Sequence, residues 1–383
     1  MLSAIAWLIL LPAATVTTVF LIETLCGLLP FRRETSGGKA PSVTVVMPAH
    51  DEAVCIAATI AMLRAEAPDA RLLVVADNCS DDTAEIARAA QAEVIERTDR
   101  DRRGKAYALA FARDHLAADP PSVVIVIDAD AIVERGSVAR LANAADKWDS
   151  PVQANYLFRP RLDAGPMVQI SGFALLLKNM VRQRGLAALR APVELAGNGM
   201  AFPWRIFASA PLASSDLAED VSLGIHLARV GDPPRLLSTA TIWSTAASQR
   251  STLGQRKRWE RGFISLARRE APSLLVSGRA PLVWLGLHLM VPPLALLMAI
   301  NLLALVVLTG IAIEDGPAMP LLLHNLLLAL VALAILGVWI GPGREQIQVR
   351  GLLYVPIYML WKLPIYGGAL LGRRMSWNRT PRD

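Results

Sequence analysis

The segment SVVIVIDAD, residues 122–130, decides how this chain is read. Five consecutive β-branched residues, Val123 to Ile127, make a short strand signal, and two aspartates close it at Asp128 and Asp130. Two earlier runs are built alike: VTVVMPAH at 43–50 and RLLVVAD at 71–77 are rich in valine and leucine, and each leads into an aspartate. Helix-compatible stretches at about 53–66, 82–91 and 104–118 lie between and after them. A β-α-β-α order implies a mostly parallel, doubly wound α/β sheet. Such sheets bind ligands beyond the carboxyl ends of their strands, so Asp51, Asp77, Asp128 and Asp130 are expected on one edge.

That edge lacks the usual glycine loops for phosphate. No GxGxxG follows the first strand, no GxxxxGK[ST] occurs, and Gly104-Lys105 has other surroundings. Carboxylates facing a diphosphate repel it unless a divalent cation lies between them, and Asp128-Ala129-Asp130 offers the hard oxygens that Mg²⁺ or Mn²⁺ prefers. Two aspartates at a strand end also make an ordinary turn and helix cap. The preceding VVIVI run and the two further strand-end aspartates favour the metal clamp.

PAHDEA at 48–53, DNCSDDTAEIA at 77–87, RGKAYAL at 103–109 and IDAD at 127–130 resemble, in order and spacing, the nucleotide-sugar half of family 2 glycosyltransferases. The resemblance implies a GT-A fold, which is Rossmann-like with a mostly parallel sheet. It also implies nucleotide-sugar contacts from Asp51, Glu52 and Asp77, a place near the diphosphate for Asp128, and metal ligation by Asp130. Lys105 either neutralises the diphosphate or is a solvated lysine at a helix start.

Two more motifs are similar to those of the cellulose synthase-like and ceramide glucosyltransferase-like branch. In LAEDVSLGIHLARVG at 217–231, Glu219 and Asp220 open a helix, where acids also serve as caps worth about 0.3–1 kcal/mol. The likeness to that branch's ED motif makes Asp220 the general base, with Glu219 beside it. QRKRW at 255–259 fits QxxRW: on a helix Gln255, Arg258 and Trp259 share a face, giving hydrogen-bond donors and an aromatic plane for a sugar. The downstream ARREAPSLLVSGR is expected to be an amphipathic segment on a membrane surface. Between the Asp128/Asp130 pair and Glu219, Gly197-Asn198-Gly199 forms a tight turn that by resemblance lines the acceptor channel.

Composition adds a membrane. The 383 residues are 54% hydrophobic and 19% charged, more apolar than soluble domains, and the excess is held in blocks. Residues 1–22 are uncharged, and 281–313, 320–343 and 351–371 are nearly so. The net charge of +6 first suggests nucleic acid, but Arg32, Arg33, Arg268, Arg269, Arg279, Arg373, Arg374, Arg379 and Arg382 flank apolar blocks. That is the positive-inside pattern, and no nucleic-acid partner is expected. Cys26, Cys55 and Cys79 form neither a CxxC pair nor a disulfide framework.

The expected domains are a transmembrane anchor at 1–30, a cytosolic GT-A domain at 31–280 and a membrane region at 281–372. A basic cytosolic tail follows at 373–383. Residues 281–313 are expected as one crossing kinked at Pro292 and Pro293, and 320–343 as the return. Segment 351–371 is either a re-entrant hairpin or a further crossing, and Glu23 and Lys362 near the block ends are expected to snorkel. Together these features describe an integral membrane enzyme, expected in a bacterial inner membrane with its catalytic domain cytoplasmic. It is expected to carry out an inverting, metal-dependent transfer from a nucleoside diphosphate sugar, first a UDP-sugar, to a hydroxyl. The acceptor is a growing β-linked glycan for export or, alternatively, a lipid. A transporter or a non-catalytic sugar-nucleotide binder is disfavoured by the intact motif set and the scarcity of charges in the apolar blocks.

Overall fold

The computed structural model describes residues 1–30, 41–245 and 249–370, with side chains at 249–258 and 363–370 outside the description. Arg32, Arg33, Arg373, Arg374, Arg379 and Arg382 therefore lie outside the described residues. The chain divides into two compact units: one holds 31–159 and 192–245, the other holds 1–30, 160–191 and 246–383. This division cuts across the 31–280 segment, grouping 160–191 and 246–280 with the apolar termini.

Helix α1 (Leu2–Leu28) opens the chain. The sheet unit then runs β1 (Val43–Ala49), α2 (Ile56–Glu66), β2 (Arg71–Asp77), α3 (Thr83–Ala89) and β3 (Glu93–Arg97). It continues with α4 (Lys105–Leu116), β4 (Val123–Val126), β5 (Ile132–Val133), α5 (Ser137–Trp148) and β6 (Val152–Phe158). Next come α6 (Pro166–Leu176), a π-helical turn (Leu177–Arg182) and α7 (Gln183–Ala188), which belong to the other unit. The sheet unit closes with β7 (Met200–Pro203), α8 (Trp204–Ser209), α9 (Glu219–Val230) and β8 (Arg235–Ser244).

The strands form one eight-stranded sheet in the order β3-β2-β1-β4-β7-β6-β8-β5. The β3-β2-β1-β4 half is parallel throughout, and β7 enters antiparallel between β4 and β6. β6 and β8 pair in parallel, and β5 caps the edge antiparallel to β8. The fold is thus the α/β, mostly parallel arrangement expected. Alternate residues of the central strands enter two cores. Val45, Met47, Leu72, Val74 and Ile125 pack with Ile60, Leu63 and Leu141 of α2 and α5. Val46, Leu73, Val75, Val124 and Val126 face Leu109, Leu116, Phe207 and Leu227 of α4, α8 and α9. Burial on both faces is why these strands read as unbroken apolar runs.

The remaining helices are α10 (Gln249–Leu275), α11 (Ala280–Met290), α12 (Leu294–Ile313), α13 (Ala318–Ile340), α14 (Val349–Leu352) and α15 (Val355–Leu370). Among the described residues α1, α12 and α13 are long and apolar enough to cross a membrane. The 281–313 block is not one continuous kinked helix. It holds two helices, because Pro292 and Pro293 supply no backbone N–H and break the ladder, and α11 at 11 residues is too short to cross alone.

Nor do the charges in the apolar blocks snorkel. Glu23 is fully buried, accepts from Arg182 Nε at 2.8 Å and lies 2.9 Å from His288 Nδ1, which ties α1 to the π-helical turn and α11. Lys362 is buried in an ion pair with Glu260 of α10. Each charge found a partner far away in sequence, and pairing replaces exposure. The backbones also meet closely: a Cβ on Gly27 would fall 1.9 Å from the Val181 carbonyl oxygen, and one on Gly185 2.0 Å from that of Glu23. Hydrogen bonds from Asn301 Nδ2 to Thr17 Oγ1 (2.9 Å) and from His324 Nε2 to the Asn301 carbonyl (3.0 Å) join α1, α12 and α13.

Candidate active site

The site lies within the sheet unit, at the carboxyl ends of β1, β2 and β4. At the end of β1 the chain turns through His50 and Asp51, the latter in the left-handed region at φ 53°. Asp51 Oδ1 accepts from the Ser80 amide at 2.6 Å and the Ser80 hydroxyl at 3.1 Å, and His50 Nδ1 donates to the Asp77 carbonyl at 2.7 Å. The Glu52 amide donates to Thr83 Oγ1 at 2.7 Å. The loops after β1 and β2 are therefore one hydrogen-bonded assembly, bringing Asp51, Glu52 and Asp77 together.

Asp77 is buried, and its Oδ1 accepts from Arg97 at 2.6 Å and from the Asn78 side chain at 2.9 Å. Arg97 ends β3 and stacks over the Tyr107 ring at 5.6 Å. Its pairing keeps a buried carboxylate an acceptor of hydrogen bonds.

At the end of β4, Lys105 pairs with Asp128 and donates to the Gly197 carbonyl at 2.6 Å. The Asp128 amide donates to Asn198 Oδ1 at 3.2 Å. Gly197 and Gly199 sit at φ 79° and 69°, a region other residues enter only with strain, and between them Asn198 is fully buried. Gln153 of β6 braces this turn: its Nε2 donates to the Asn198 carbonyl at 2.8 Å, and its Oε1 accepts from the Ala196 amide at 2.8 Å. A Cβ on Gly197 would stand 3.1 Å from Asp220 Oδ2 and 3.8 Å from Lys105 Nζ. The first turn of α9 therefore delivers Asp220 to the Lys105–Asp128 pair.

The electrostatics follow from this crowding. Burial, and then the neighbouring charge of Asp128, pushes the Asp130 carboxyl up to about 6. Glu219 is also pushed up, first by burial and then by Asp220, with Lys105 opposing the rise. The four acids Asp128, Asp130, Glu219 and Asp220 thus form an over-negative cluster balanced by Lys105.

Asp128 and Asp130 offer the hard oxygens a divalent cation takes, in a cluster whose charge such a cation relieves. A second group, Asp51, Cys79 and Asp81, has ligand atoms mutually within 4.8 Å. Its carboxylates are engaged in turns, Asp51 by Ser80 and Asp81 by the amides of Ala53 and Thr83, and burial raises the Cys79 thiol away from the thiolate a metal binds. Gln255, Arg258 and Trp259 belong to the other unit, on α10, which confirms their helical spacing. Trp259 is half-buried, and the side chains of Gln255 and Arg258 lie outside the described residues.

Arg97, Ser80 and Gln153 were not singled out from the sequence. Arg97 carried one usable signal, a cation seven residues ahead of Gly104 between two predicted helices, and Gln153 another, an amide inside the otherwise apolar run beginning at Val152.

A carboxylate-rich edge on a mostly parallel sheet, with a lysine and a tandem acid pair gathered at the end of β4, is the layout of a nucleotide-sugar transferase of GT-A type. Comparison with known proteins gives the same class. The family model described as glycosyl transferase family 2 matches residues 44–175, and that of glycosyl transferase family group 2 matches residues 123–363. The second spans well over half the chain, and the chain belongs to glycosyl transferase family group 2. No curated protein matches. Among solved structures, the chain is similar to the mannosyltransferase PcManGT from Pyrobaculum calidifontis, in complex with GDP-Man and Mn²⁺. The TM-score is 0.58 at 19% identity, covering 95% of this chain and 100% of that one. A more distant similarity is to glucosyl-3-phosphoglycerate synthase from Mycobacterium tuberculosis, with a TM-score of 0.43 and 22% identity over 62% of this chain and 85% of that one.

Proposed function

We propose that this glycosyltransferase resides in a membrane, expected to be a bacterial inner membrane with the sheet unit on the cytoplasmic side. There it moves a sugar, with inversion, from a nucleoside diphosphate sugar to a hydroxyl acceptor. The observation that carries the proposal is the meeting of Asp220, Gly197, Lys105 and Asp128 beyond the end of β4.

Asp220 takes the proton of the attacking hydroxyl as its oxygen bonds to the anomeric carbon, and the bond from that carbon to the diphosphate oxygen breaks. A positioned base of this kind contributes about 10²–10⁴ in rate. A Cβ at residue 197 would stand 3.1 Å from Asp220 Oδ2, so glycine here keeps a side chain out of the space beside that carboxylate. Lys105 offsets negative charge where the diphosphate departs, and Glu219, its carboxyl pushed upward, sits protonated more readily than an exposed acid and so spares Asp220 a second adjacent charge. Asp51, Glu52 and Asp77 receive the nucleoside, with Asp77 held by Arg97 to accept from a base N–H. Asp130 and Asp128 would hold Mg²⁺ or Mn²⁺, which when bound would supply Lewis acidity to the leaving diphosphate. The PcManGT complex with GDP-Man and Mn²⁺ supports a metal-dependent reading and adds GDP-sugars to the candidate donors.

For the acceptor, the resemblance to the cellulose synthase-like or ceramide glucosyltransferase-like branch leaves a growing glycan or a lipid. The direct hydrogen bonding of α1, α12 and α13 through Thr17, Asn301 and His324 favours single-sugar transfer to a lipid. Three helices bound to one another leave little between them for a polymer. Incubating membranes with labelled UDP-, GDP- and dTDP-sugars tests both levels: nucleotide release identifies the donor, and product size separates a glycolipid from a polymer. Absence of release with every donor contradicts the proposal.

A further inference from the structure

The Glu260–Lys362 ion pair has no evident use as an anchor. Lys362 is the one charged residue of α15, only 3% exposed, and Glu260 on α10 is 9% exposed. Buried as they are, each charge is costly, and a buried pair rarely stabilises a fold more than apolar side chains of similar volume would. What such a pair does supply is a fixed register between two helices. Glu260 directly follows Trp259, the last residue of QRKRW, on the same rigid helix. A turn of α10 large enough to break the pair also swings Trp259 by the same angle.

Other contacts hold the same stretch of α10. The Lys362 ammonium lies over the Tyr358 ring at 5.0 Å, and Tyr358 packs on Trp361 at 5.9 Å, so the cation is fixed on its own helix. Three residues beyond Glu260, Phe263 receives the Lys178 ammonium of the π-helical turn over its ring at 5.1 Å. Two lysines from two elements thus grip one helical turn just past the motif.

We infer that Glu260 and Lys362 are a positioning pair: by locking α10 against α15 they set the rotation of α10 at which Trp259 and its motif act in sugar transfer. The inference rests on the proposed sugar transfer and on the expectation, drawn from the sequence, that QRKRW serves it. It gives the last apolar helix a part in turnover beyond membrane attachment.

The test compares the full-length protein with Lys362→Met, with Glu260→Leu/Lys362→Met and with the exchanged pair Glu260→Lys/Lys362→Glu. The readouts are thermal unfolding, nucleotide release and amide hydrogen exchange of residues 259–266. The double apolar variant is expected to keep its unfolding midpoint. Its kcat should fall by at least about 10-fold while the donor KM stays within about 2-fold. Exchange in 259–266 should rise by about 10-fold. The exchanged pair should recover most of kcat and of the exchange protection. A double apolar variant with parental kcat and exchange reduces the pair to packing and overturns the inference, and one that fails to fold shows a folding role and overturns it equally. If the parent releases no nucleotide from any donor, the transfer proposal fails on its own. The exchange experiment then still decides whether the pair locks α10, and unchanged exchange overturns the inference.

Discussion

Lys105, the first residue of α4, pairs with Asp128 at the end of β4 and at the same time donates to the Gly197 carbonyl at 2.6 Å. One ammonium thus joins the donor-side carboxylate to the turn beside the proposed base. Lys105→Met should lower kcat by about 10²-fold or more, since it removes a preorganised charge facing the leaving group. Steady-state nucleotide release by parent and variant measures this.

Asp220 and Glu219 have separable roles. Asp220→Asn should cost about 10³-fold in turnover with nucleotide affinity kept, whereas Glu219→Gln should cost about 10-fold. Kinetics alongside titration calorimetry of the nucleotide test the assignment, and the reverse ranking moves the base to Glu219.

Asp130 links metal binding to stability. Its carboxyl is raised from 3.8 to about 6, so its unfavourable ionisation in the fold leaves stability intact below about pH 4 and removes it as pH rises through about 6. Without metal, Asp130→Asn should match the parent near pH 4 and exceed it above pH 7 by up to about 3 kcal/mol, two pKa units at 1.36 kcal/mol each. Adding Mn²⁺ should stabilise the parent at pH 7.5 and leave the variant unmoved. Thermal melts with chelator and with Mn²⁺ measure this.

Glu23 tests the membrane unit. Glu23→Gln leaves Arg182 buried without its counter-charge, a change that costs about 3–5 kcal/mol. Unfolding in detergent should show that loss, and Glu23→Gln with Arg182→Gln should recover part of it.

The central strands were legible because burial on both faces turns them into valine-rich runs, and β1, β2 and β4 fall within 43–50, 71–77 and 122–130. The helices after them were legible to within three residues at their starts. β3 was not: EVIER is a short edge strand with three charges, as exposed edges tend to be. β6 was hidden because Gln153 and Asn155 look wrong for a core, and the backbone groups that receive them, at Ala196, Asn198 and Ser238, lie far away in sequence. Of the site, the strand-end acids and the tandem Glu219-Asp220 could be seen in sequence. The Arg97 grip on Asp77 could not, since the two lie on neighbouring strands twenty residues apart. Glu23 and Lys362 were misjudged for the same reason, their partners standing 159 and 102 residues away.

The most direct test of the central claim, that the cluster at the end of β4 transfers sugar, is Mn²⁺-dependent nucleotide release by parent and Asp220→Asn protein in membranes supplied with UDP- and GDP-sugars. Release by the parent, abolished by chelator and by Asp220→Asn while nucleotide binding persists, is the expected result. Equal release by both proteins, or none by the parent with any donor, would contradict it.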